Sequence, residues 1–93
     1  MNMQVTDAAI ACLKNEWGFR SGEFVRVYIR YMSGGADALA LGIQKEKPRR
    51  SIYSHAAGGM TFYVEESDEW YMKDRNVTIN AEGVEITFTA DLI

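Results

Sequence analysis

Glu23-Phe24-Val25-Arg26-Val27-Tyr28-Ile29-Arg30-Tyr31-Met32 is the stretch that decides the fold class. Val25, Val27, Ile29 and Tyr31 fall on one side of a period-two pattern and Phe24, Arg26, Tyr28, Arg30 and Met32 on the other, which predicts a strand over residues 23–32. The odd face is β-branched and points to a core. The even face is half-solvated, with two arginines on long apolar stems. Downstream, Ser33-Gly34-Gly35-Ala36-Asp37 breaks the alternation, and Leu39, Leu41 and Ile43 resume it up to Lys45. A hairpin with a glycine-rich loop follows from that order. Lys45-Glu46-Lys47-Pro48-Arg49-Arg50 is then a charged connection, and its proline excludes a central strand.

Further along, residues 51–55 read as a short strand. Ala56-Ala57-Gly58-Gly59 turns the chain into a second strand over residues 60–64, where Met60, Phe62 and Val64 alternate with Thr61 and Tyr63. Ser67 is placed to cap a short helix holding Asp68, Glu69, Trp70, Tyr71 and Met72, anchored by its aromatics. Val77-Thr78-Ile79-Asn80, the turn Ala81-Glu82-Gly83 and Val84-Glu85-Ile86-Thr87-Phe88-Thr89 form a last hairpin. Upstream, residues 3–5 form a strand that passes into a helix capped by Thr6, with Asp7 in its first turn. That helix is predicted to run to about Trp17, with Ala9, Ile10, Leu13 and Trp17 on one stripe and Gly18 at its end. Several short strands and one sizeable helix predict an α+β, mostly β domain with the helix covering one sheet. The lack of crossover helices excludes a doubly wound fold.

The chain has 93 residues, of which 47% are hydrophobic and 25% charged, as in soluble globular chains. A chain this short buries only about 60% of its unfolded surface, so a single domain over residues 1–93 is expected. Ten Lys and Arg against thirteen Asp and Glu give a net charge of −3, a field that disfavours nucleic acid and anionic lipid as partners. No apolar run approaches the roughly 18 residues of a membrane span, and Met1-Asn2-Met3-Gln4 carries no basic flank, so a cytoplasmic location is expected. The chain's one Cys, Cys12, cannot form an internal disulfide. With the one His, His55, it cannot supply the four ligands of a structural zinc. Asn76-Val77-Thr78 matches a glycosylation acceptor and is read as structural in the absence of a secretory signal.

The order of Thr6-Asp7-Ala8-Ala9, Val25-Arg26-Val27, Ser33-Gly34-Gly35 and Thr61-Phe62-Tyr63-Val64 resembles the HesB-like domain of A-type iron–sulfur carriers over essentially the whole chain. Phe62-Tyr63-Val64-Glu65-Glu66-Ser67-Asp68-Glu69-Trp70-Tyr71 is similar to a small, cysteine-poor branch of that family found in Gram-positive bacteria. The resemblance implies small, packed, bent β-sheets covered by one N-terminal helix. It also implies a cluster held by a cysteine in the glycine-rich loop and by a Cys-Gly-Cys near the C-terminus. Here Met32-Ser33-Gly34-Gly35-Ala36 and Ala90-Asp91-Leu92-Ile93 hold no cysteine, so the thiolates that suit cluster iron are missing and the family's cluster activity is not carried over.

Each candidate residue also has a structural reading. Cys12 sits roughly 120° around the helix from the apolar stripe and reads as a small packed hydrophobe without a cationic activator. His55 reads as a solvent-exposed turn histidine. Glu65, Glu66, Asp68 and Glu69 lack an EF-hand spacing and read as a solvated acidic face. Arg26, Tyr28 and Arg30 share a strand face and, with Arg49 and Arg50, form a surface patch suited to carboxylate or phosphate, or to cross-strand pairing with glutamates. The loop positions Ser33, Gly34, Gly35 and Asp37 match the family's cluster loop, where glycines let backbone amides approach a ligand. No hydrolase or nucleotide-binding motif is present in the sequence. The expectation is a non-catalytic binding or accessory module, a monomer or weak homodimer with no cofactor, contacting an unknown protein through that loop and the Arg26/Arg30 face. The alternative is an iron or iron–sulfur binder using Cys12 and His55 of two subunits across a dimer.

Overall fold

The computed structural model describes residues 1–31 and 39–93. The described elements are β1 (Asn2–Val5), α1 (Asp7–Asn15), β2 (Phe24–Tyr31), β3 (Leu39–Lys45), β4 (Ser51–Ala57), β5 (Met60–Glu65), α2 (Glu69–Met72), β6 (Arg75–Glu82) and β7 (Glu85–Leu92). They sort into a three-stranded sheet, β1-β6-β7, and a four-stranded sheet, β3-β2-β5-β4. This is the α+β, mostly β architecture that the strand periodicities predict.

The period-two strand behaves as its side chains dictate. Val25, Val27 and Ile29 are buried, while Phe24, Arg26 and Tyr28 are half-buried and Arg30 is exposed. β2 pairs antiparallel with β3, setting Tyr28 opposite Gly42 and Arg30 opposite Ala40. On its other side it pairs in parallel with β5, and in the second sheet β1 runs parallel to β6. These parallel pairs join strands distant in sequence, which hairpin signals alone do not announce. β5 is sealed on both faces, Phe62 and Val64 by the core and Tyr63 and Glu65 by the 46–50 connection to which they hydrogen-bond, so four residues are buried in succession and the alternation expected of a half-exposed strand does not appear.

α1 starts where Thr6 predicts, with the Thr6 hydroxyl accepting the Ala9 N–H at 3.1 Å. It ends at Asn15 rather than near Trp17, because the chain leaves the helix at Gly18 and the Phe19 N–H returns to the Leu13 carbonyl at 2.9 Å. Trp17 therefore leaves the apolar stripe. α1 buries Ala9, Cys12 and Leu13 against β6 and β7, and Ile10 seats on the β4–β5 hairpin.

That hairpin turns on Gly58-Gly59 alone, both at positive φ (60° and 80°), and Ala56 and Ala57 belong to β4. A Cβ on Gly58 would lie 2.5 Å from the Ile10 side chain, so glycine is required there twice over. The last hairpin turns at residues 83–84, later than the expected 81–83, and keeps an unbroken ladder from Arg75 opposite Leu92 to Glu82 opposite Glu85. Ser67 does not cap α2: residues Glu66–Asp68 form a 3-10 turn, and neither helix start there has a side-chain cap. Of the two aromatics, Tyr71 packs against the core and helps anchor α2, and Trp70 does not. Trp70 is 58% exposed, and the fully buried Met72 completes the attachment. No helix among the described residues is long and apolar enough to cross a membrane.

Candidate functional site

The even face of β2 divides in two. Arg26 is used inside the fold: its guanidinium pairs with Glu46 at 3.2 Å and Asp68 at 3.5 Å and stacks on the Tyr28 ring, 5.7 Å from its centroid. The cross-strand pairing with a glutamate is therefore real for Arg26. Arg30 has no ion pair among the described residues, and its aliphatic stem lies over Gly42, where a Cβ would meet the Arg30 Cδ at 2.5 Å and the Tyr28 ring at 3.1 Å. Gly42 thus lets Arg30 and Tyr28 lie down across β3.

Tyr28 and Arg30 open onto a cleft of about 500 Å³ along the flank where β3 and β7, the edge strands of the two sheets, come side by side. Trp17, Tyr71, Ile86 and Phe88 complete its wall. At one end, the Trp17 indole N–H donates to the Val84 carbonyl at 3.0 Å. At the other, Arg75 stacks on Tyr71 at 3.9 Å and donates to the Tyr71 and Ala90 carbonyls, both at 2.9 Å, tying α2 to β7. Aromatic rings, aliphatic side chains and one guanidinium are the composition of a protein-binding hot spot. Trp17 and the β7 residues were not among the sequence candidates. The signal for β7 is its own alternation, which by itself announces only a hairpin arm.

The opposite flank, between edge strands β1 and β4, holds a cleft of about 540 Å³ with polar walls that include Asn2, Gln4, His55 and Thr78. His55 is half-buried within β4 opposite Phe62, not exposed in a turn. Cys12 is 5% exposed under α1 and borders a separate cleft with Ala81 and Gly83. The structure does not bring Cys12 and His55 together. The loop candidates Ser33, Gly34, Gly35 and Asp37 lie outside the described residues.

The acidic run is not one solvated face. Glu65 is 6% exposed, its carboxylate accepting the backbone N–H groups of Arg49 and Arg50 at 3.1 and 3.0 Å, and Asp68 holds Arg26. Arg49 and Arg50 therefore serve the fold through their backbones, and the Arg50 side chain pairs loosely with Glu66 at 3.7 Å. Burial raises the Tyr63 hydroxyl pKa above its usual value, reinforced by the charges of Glu46 and Glu65, and the hydroxyl donates to the Glu46 carbonyl at 2.6 Å. The Lys45 ammonium, 3.1 Å away, lowers the Glu23 pKa, helped by the Arg20 N–H at 2.6 Å.

Among the described residues no group of three His, Cys, Asp or Glu is arranged to hold a metal ion. An iron–sulfur cluster does not fit this chain's donors: the sequence has a single thiol, that thiol is buried, and the single imidazole borders a different cleft.

No family model matches the chain. It is 33% identical over 82 residues to the Bacillus subtilis (strain 168) pyruvate dehydrogenase inhibitor, covering 86% of each chain. Its fold matches Escherichia coli SufA, involved in biosynthesis of iron–sulfur clusters, with a TM-score of 0.61 at 15% identity over 98% of this chain and 80% of that one. It matches IscA with its 2Fe–2S cluster at the same TM-score, with 12% identity over 97% of this chain and 81% of that one. The HesB-like fold that the residue order resembles is thus the observed fold.

Proposed function

The chain belongs to the HesB-like family, in the branch of the Bacillus subtilis pyruvate dehydrogenase inhibitor, and from that premise we propose that it is a non-catalytic protein that binds pyruvate dehydrogenase and lowers its activity. The observation that carries the reading is the identity to that inhibitor over nearly the whole of both chains. Two features of the site support it. The chain lacks the thiolates with which this fold holds a cluster, so the scaffold is left without its inorganic cargo. The β3/β7 cleft offers Trp17, Tyr28 and Arg30, groups suited to gripping another protein.

The test is direct. The purified protein is titrated into a bacterial pyruvate dehydrogenase complex while NADH formation is followed with pyruvate, coenzyme A and NAD. A saturable fall in rate, with co-migration on gel filtration, is expected. An unchanged rate at large molar excess, with no co-migration, overturns the proposal.

A further inference from the structure

The two sheets differ by one strand, and the difference falls on the cleft. The hydrogen bond from the Met3 N–H to the Tyr53 hydroxyl, 3.1 Å, sets β1 beside β4. At the other flank the smaller sheet ends at β7 and the larger at β3, and residues of both strands line the cleft. The inner face of β7 shows the shortfall: Ile79 on β6 is fully buried, whereas Phe88, directly opposite it on β7, is only half-buried.

Free strand edges are normally blunted by shortness, bulges or capping groups. β1 has 4 residues and its Met3 N–H is capped by Tyr53; β4 carries a register shift between Ser51 and Tyr53. β7 has 8 residues, no register shift against β6, and strict alternation of Ile86, Phe88 and Ala90 with Glu85, Thr87, Thr89 and Asp91. Among the described residues no strand pairs with its outer edge, and the Ala90 carbonyl near its end accepts from Arg75 at 2.9 Å.

We infer that β7 is an acceptor edge, which receives an extended segment of the partner protein as a fourth strand beside it, apolar at alternate positions and carrying Lys or Arg at those between. Main-chain hydrogen bonds to β7 would supply the register, as in other strand additions. The segment's apolar side chains would cover Phe88 and the inner face of β3, and its basic ones would stand opposite Glu85 and Asp91. A second copy of this chain is the poorer occupant. Antiparallel self-pairing centred on Phe88 sets Glu85 against Asp91 on both sides, and two chains of net charge −3 repel.

The inference rests on the reading of the chain as an inhibitor that works by binding, and the experiment separates the two. Wild type and Glu85→Lys/Asp91→Lys are compared in the pyruvate dehydrogenase assay, with circular dichroism and thermal melting to establish that the variant is folded. In parallel, amide shifts of the wild type are recorded with a capped peptide alternating valine and lysine, 8 residues long like β7, and with its valine–glutamate twin. Replacing two attractive cross-strand charge pairs by repulsive ones is expected to weaken inhibition by about tenfold. The valine–lysine peptide is expected to shift amides of β7 and β3, and the glutamate twin to leave them unmoved. A folded variant that inhibits as well as wild type overturns the acceptor edge and leaves the inhibitor reading standing. If wild type does not inhibit, that reading falls and the peptide arm decides the edge. Shifts on β7 with the lysine peptide alone support it; no shifts, shifts confined to β1 and β4, or β7 shifts that appear with protein concentration and no peptide overturn it.

Discussion

The β3/β7 flank and the β1/β4 flank are both places where edge strands of two sheets meet, and they are finished in opposite ways. On the β1/β4 side, a short strand, a bulge and the Tyr53 hydroxyl interrupt the strand edges, and the cleft between them has polar walls. On the β3/β7 side, the apolar row of β7 packs against the margin of the core and is left half-covered beside Trp17 and Arg30. An edge whose backbone is already satisfied, or too short to pair, cannot recruit a strand. A long regular edge with apolar alternation can. The difference teaches which side of a small sandwich is free to bind, and it predicts that the two flanks are held by different forces.

The largest effect is expected on the apolar side. Fully buried Phe→Ala changes cost about 3–5 kcal/mol, so half-buried Phe88→Ala should cost about 2–3 kcal/mol in urea denaturation. A loss under about 0.5 kcal/mol would show that β7's inner face is not continuous with the core. On the polar side, Tyr53→Phe removes one hydroxyl and leaves the Met3 N–H without its acceptor, for which about 1 kcal/mol is expected. If it cost nothing, burial alone would be holding that flank together.

Smaller effects come from titration. The pKa of Tyr63 is raised in the folded state, so its contribution is intact below the usual value of 10.0 and is lost as pH rises through and beyond it. Glu23 is lowered from 4.5, so its contribution is present above that pH and fades as pH falls through the folded value. Melting temperature against pH should therefore decline at both extremes. Tyr63→Phe should flatten the alkaline decline and leave the acid one alone, whereas Glu23→Gln should do the reverse. If Tyr63→Phe left the alkaline slope unchanged, the hydroxyl would not be held neutral by its burial.

Much of the fold was legible because period two is printed directly in Val25, Val27 and Ile29, and because Thr6 has the chemistry of a cap. What was not legible depended on contacts between distant segments. Trp17 falls on the helical stripe by arithmetic, yet the helix ends first and the ring turns to the β6–β7 turn. Glu65 belongs to an acidic run by sequence, but two backbone N–H groups some fifteen residues upstream make its burial affordable. For the site, Tyr28 and Arg30 were found from their shared face, while β7 was not, because an edge strand and a central strand of one hairpin carry the same alternation. Only the sheet order distinguishes them.

The smallest expected effect tests whether the polar flank is as closed as its finish implies. His55 is half-buried in β4, opposite Phe62, and its side chain has no hydrogen bond or ion pair among the described residues. It borders the same cleft as Asn2, Gln4 and Thr78, none of which is a strong metal ligand. His55→Ala removes no partner and opens no sealed cavity, so stability should change by no more than about 0.5 kcal/mol, and inhibition of pyruvate dehydrogenase not at all. The measurement is a paired urea titration and activity assay on the one variant. A large loss of inhibition with the fold intact would move the binding surface from the β3/β7 flank to the β1/β4 flank and reverse the contrast, because the blunted edges would then be the ones in use.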